Sequence, residues 1–93
     1  MKAFVIHVNG KKLCTIGIGD GVLTAMVMRS SSSQHISGNI QEFFLQVGGL
    51  DAATNEHVDW NVPTELSLGD EITIKIVDAQ AVDPEHNRYK AKP

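Results

Sequence analysis

The clearest structural signal in the pattern of apolar and polar positions lies at the start of the chain. Phe4, Ile6 and Val8 are interleaved with Val5 and His7, Asn9-Gly10 interrupts, and the pattern resumes from Lys11 to Ile16. Asn-Gly between two apolar runs is a strong hairpin cue, because both central residues of a type I′ turn need positive φ. With a two-residue loop, Val8 faces Lys11, Ile6 faces Leu13 and Phe4 faces Thr15. Phe4, Ile6, Val8 and Leu13 then form a core face. Val5, His7, Lys12, Cys14 and Ile16 form the opposite face, which is too apolar to stand bare.

Gly17, Gly19 and Gly21 mark a loop. Val22 to Arg29 is an almost continuous apolar run, read here as a strand buried on both faces; a short helix with Asp20 as N-cap is the alternative. The serine run Ser30–Ser33 and the residues to Asn39 read as a polar loop. Glu42 to Val47 reads as a strand with Phe43, Leu45 and Val47 on one face and Phe44 and Gln46 on the other, ended by Gly48-Gly49. Leu50 to Glu56 reads as a turn or a one-turn helix, and His57 to Trp60 as a short strand stopped near Asn61 and Pro63. Ile72, Ile74 and Ile76 alternate with Glu71, Thr73 and Lys75, the inside–outside pattern of a strand. Asp83-Pro84 then breaks regular structure.

Five or six short strands with glycine-rich turns predict a mainly β fold, a small antiparallel β-sandwich or barrel that opens with a hairpin. The competing fold is an α+β β-grasp with a helix near 21–31. Residues 1–82 are expected to form the domain and 83–93 a polar tail.

Ninety-three residues with 42% apolar and 20% charged content suit one globular domain. No stretch approaches the length of a membrane span, and the apolar run after Lys2 is too short for a signal-peptide core, so a cytoplasmic protein with no membrane partner is expected. The net charge of −3, without a basic run, argues against nucleic acid as the partner. Cys14 is the lone cysteine, which excludes an intrachain disulfide and a thiolate-rich zinc site.

Candidate chemistry is sparse. The histidines His7, His35, His57 and His86 lack the close spacing of a helix-borne zinc motif, and no metal or cofactor is expected. Glu56-His57-Val58-Asp59 is the densest ligand-capable group; on a strand His57 and Asp59 share a face and Glu56 points away. The glycines at 17, 19 and 21 lack the rest of a phosphate-binding signature. Cys14, expected opposite Val5 with His7 diagonal to it, reads as a small buried hydrophobe rather than a nucleophile. Trp60 is either a core residue or a binding anchor, since tryptophan is enriched where interfaces concentrate their energy. Phe44, opposite in sense to Phe43, is a candidate for an exposed surface.

Leu45-Gln46-Val47-Gly48-Gly49-Leu50-Asp51, Glu56-His57-Val58-Asp59-Trp60 and Leu68-Gly69-Asp70-Glu71-Ile72 together resemble small uncharacterised bacterial all-β proteins of about this length. The resemblance is best in the C-terminal half. It implies a bacterial source and a compact, mainly β domain, and brings no activity. The expectation is therefore a non-enzymatic interaction domain of the inhibitor, immunity or adaptor kind, binding another protein or itself as a homodimer. Its expected surface includes Trp60, Phe44, His57 and Asp59. The alternative is a small-ligand or metal-binding module around His57, Asp59 and Trp60.

Overall fold

The computed structural model describes residues 1–30, 42–61 and 64–91. The expected polar loop lies outside these from residue 31 onward, with His35. Among these residues eight strands follow in order: β1 (Lys2–Val8), β2 (Lys11–Gly17), β3 (Gly21–Arg29), β4 (Phe43–Asp51), β5 (Glu56–Asp59), β6 (Thr64–Glu65), β7 (Ile72–Asp78) and β8 (Asn87–Lys90). They form two antiparallel sheets, one ordered β2-β1-β7 and one ordered β3-β4-β5-β8, with β6 also paired to β4. The fold is all-β, as a small sandwich requires. Residues 21–29 are strand, so the β-grasp alternative is set aside. Among the described residues no helix is long and apolar enough to cross a membrane.

The hairpin turn forms where Asn9 and Gly10 predict it, with φ of 54° and 81°. Its register differs from the expected one beyond His7. Val8 pairs with Lys11 and His7 with Lys12, but Ile6 pairs with Cys14 and Phe4 with Ile16. Leu13 is the extra residue of a bulge, which turns every later side chain of β2 to the other face. Leu13 is therefore 39% exposed, while Cys14 and Ile16 enter the core beside Ile6. Cys14 consequently faces Ile6, not Val5, and His7 lies on the opposite face.

The core closes between the sheets. Ile6, Cys14 and Ile16 meet Leu45, Val47 and Val58, with Trp60 and Leu66 at its margin. The expected end of β4 at Gly48-Gly49 is overturned: the strand continues to Asp51. Both glycines are there because neighbouring backbone comes close. A Cβ on Gly48 would stand 2.5 Å from the Val58 carbonyl oxygen, and one on Gly49 would run into that of Val22.

β5 and β6 lie along the same edge of β4, and Asn61 fills the gap between them. Its Oδ1 accepts from Val47 N at 2.8 Å, and its Nδ2 donates to Leu45 O at 3.1 Å and Thr64 Oγ1 at 2.9 Å. One side chain thus stands in for a missing stretch of ladder, satisfying backbone groups that are costly to leave unpaired.

The expected polar tail is also corrected. After β7 the chain runs past the N-terminus, where Ala79 N donates to Met1 O, and on to the outer edge of β2. There Asp83 N donates to Thr15 O at 2.9 Å, Thr15 N donates to Asp83 Oδ2 at 2.8 Å, and Trp60 Nε1 donates to Asp83 O at 2.8 Å. The chain then enters the other sheet as β8, pairing Asp59 with Asn87 and Val58 with Arg88. Residues 79–86 are a strap that joins the two sheets.

Candidate functional site

The outer face of the five-stranded sheet, turned away from the core, carries the most distinctive surface. Strand pairing arranges it in rows. Val22, Leu50, His57 and Tyr89 are direct neighbours across β3, β4, β5 and β8. The next row is Thr24, Gly48, Asp59 and Asn87, followed by Met26 with Gln46, and Met28 with Phe44. Gly48 has no side chain, so its row sinks between two bulky ones. The result is an open depression of about 350 Å³, walled by Val22, Met26, Leu50 and Tyr89, with Thr24, Gln46, His57 and Asp59 as polar contacts. The His57 and Tyr89 rings pack with centroids 5.1 Å apart and planes 30° apart. Thr24 Oγ1 donates to Gly48 O at 3.3 Å across the floor.

Three of the four expected surface residues gather here. His57 and Asp59 share this face, as the strand period requires, and Glu56 points the other way. Phe44 lies on the same face but outside the depression, half-buried beside Met28. Trp60 does not belong to it. β5 ends at Asp59, the chain bends, and Trp60 turns inward with 7% exposure and its indole nitrogen bonded to Asp83 O. Tyr89, in the segment expected to be a tail, supplies the aromatic wall of the depression instead. Asn87 to Lys90 is too short a segment to show an alternation, and only the aromatic residue in it hinted at a strand.

At the end of the inner face, Arg88 gathers three carboxylates. It reaches Glu85 at 2.7 Å and Asp51 and Glu56 at 3.0 Å each. Hydrogen bonds from Arg88 hold the Asp51 and Glu56 carboxyls below their ordinary values, and those with Glu85, Asp51 and Glu56 raise the guanidinium's own. This cluster ties β8 to the turn after β4. Cys14 is unsuited to nucleophilic work: burial, and next the Asp83 carboxylate, push its thiol above the ordinary value, against a smaller opposite pull from Lys12. Among the described residues no three of His, Cys, Asp and Glu come together to hold a metal ion.

Comparison with protein-family models, curated proteins and solved structures finds no match to this chain.

Proposed function

We propose that this chain is a non-enzymatic protein-interaction domain that binds its partner through the outer face of the five-stranded sheet. The observation that carries this reading is an apolar outer face on a sheet whose inner face already supplies the core. Val22 is 57%, Tyr89 50%, Met26 43% and Met28 42% exposed on that face, with Phe44 and Leu50 half-buried among them. Contiguous apolar surface of this kind, rimmed by polar side chains, is the usual mark of an interaction site. Methionines adapt their shape to a partner, and Tyr89 offers a rigid amphipathic ring. An inhibitor, an immunity-type protein or an adaptor would fit such a surface.

Retention of a protein partner on the immobilised full chain tests the reading. Met26→Lys and Tyr89→Ala should each release a stoichiometric partner, while Leu68→Ala, outside this face, should retain it. Equal retention by all variants would sink the assignment of the face.

The depression supports a second reading, in which a small organic molecule sits against Tyr89 and Leu50 with His57 and Asp59 as polar contacts. Its size is at the low end of ligand pockets. A thermal-shift screen giving a hit with the wild type that disappears in His57→Ala would favour it.

A further inference from the structure

β3 is an outer strand of nine residues with no charge before Arg29. Its pairing with β4 shows which backbone groups it leaves free. Ser30 N donates to Glu42 O, and Ala52 N donates to Asp20 O, so the even-numbered residues direct their hydrogen bonds toward β4. The N–H and C=O groups of Gly21, Leu23, Ala25, Val27 and Arg29 therefore point away from the sheet. Among the described residues nothing pairs with them.

The other outer strands are protected. Asp83 covers β2 at Thr15. β7 carries Lys75 at its centre and Asp78 at its end, and β8 has four residues, two of them Arg88 and Lys90. Charges, brevity and covering segments are the means by which proteins prevent edge pairing. β3 is long, its one charge is the terminal Arg29, and no segment among the described residues covers it.

We infer that β3 is a self-pairing edge, joining antiparallel to β3 of a second copy about a two-fold axis at Ala25. The sequence of the strand fits its own reverse in this register. Ala25 meets Ala25, Leu23 meets the 54%-exposed Val27, Thr24 meets Met26 and Val22 meets Met28, so small and apolar residues match on both faces. The outward-pointing residues pair only with one another, which forms about ten interstrand hydrogen bonds. Charge completes the fit. Arg29, whose Nε lies 3.5 Å from Glu42 Oε2 in its own chain, comes opposite the partner's Gly21, whose missing side chain opens a path for the guanidinium to reach the exposed carboxylate of the partner's Asp20 as well. Asp20 has no cation within salt-bridge distance in its own chain among the described residues. The two-fold axis makes this contact twice. The occupant is thus a second copy of this chain, and the product is one continuous sheet built from both five-stranded sheets.

Sedimentation of the full chain across concentrations up to about 100 µM should show a monomer–dimer equilibrium. Ala25→Pro removes one outward N–H without touching the β4 ladder, and should leave a folded monomer over the same range. Because a proline can disturb the strand itself, charge reversal provides a second test. Arg29→Glu and Asp20→Lys should each weaken the dimer about tenfold, and together restore it. A wild-type monomer throughout, or a dimer indifferent to Ala25→Pro and to both reversals, would overturn the inference. The inference rests on the edge and not on the outer face. Tyr89→Ala should therefore leave the dimer intact, and a dimer lost in Tyr89→Ala but kept in Ala25→Pro would refute edge pairing while supporting the face.

Discussion

β2 and β3 are both outer strands, yet one is closed and the other, among the described residues, is open. β2 is the less apolar of the two, and the chain covers it: the strap from β7 returns to place Asp83 on Thr15, so that the outward N–H and C=O of that residue are satisfied. β3, longer and uncharged over its first eight residues, has no such cover among the described residues. Hydrophobic content does not decide which edge is protected. The path of the chain does, because β2 lies on the way from one sheet to the other and β3 does not.

Opening the closed edge is expected to have the largest effect. Asp83→Ala leaves the Thr15 N–H buried without its acceptor, at a cost of about 2 kcal/mol, read from urea unfolding. If stability is unchanged, the strap is not what closes β2. A smaller loss is expected at the far end of the β1–β7 pair. There Asn9 Nδ2 donates to Asp70 Oδ1 and Asn9 Oδ1 accepts from Glu71 N, both at 2.9 Å, while Asn9 itself has positive φ. Asn9→Ala removes both bonds and puts alanine in a left-handed conformation, so a loss of about 1–1.5 kcal/mol is expected in the same assay.

The guard on β8 gives a pH test. Arg88 holds the Asp51 and Glu56 carboxyls below their ordinary values, so their folded-state values lie below the unfolded ones. The stabilisation is then complete above the unfolded values and is lost as pH falls through the folded ones, below about pH 4. Melting temperature should drop with acid in the wild type and less steeply in Arg88→Gln; parallel curves would show that the cluster does not hold β8. The smallest effect on stability belongs to Lys75→Ile, within about 0.5 kcal/mol. This variant removes the central charge from β7 and should make that edge associative too, detected as species larger than a dimer in light scattering. A size distribution unchanged from wild type would mean that Lys75 is not the guard of that edge.

Local chemistry made several features legible from residues alone. Asn9-Gly10 specified its turn because few residues accept positive φ, and alternation placed Phe44 on an outer face and His57 with Asp59 on one side of β5. Other features depended on groups distant in the chain. The bulge at Leu13 reversed the expected faces of Cys14 and Ile16, since a period of two carries no record of one inserted residue. Gly48-Gly49 looked like a strand end because the close approach of Val58 and Val22 that requires them is made by other strands.

The sequence by itself determined the opening hairpin turn and the faces of β4 and β5, since each follows from backbone preference and side-chain alternation over a few residues. Only the tertiary structure decided that residues 21–29 are strand and not helix, that Trp60 is buried, that Tyr89 walls the outer depression and that β2 is covered while β3, among the described residues, is not. Those outcomes turn on where the strap from Asp78 to Asn87 crosses between the sheets, and its hydrogen-bond partners Met1, Thr15 and Trp60 lie far from it along the chain.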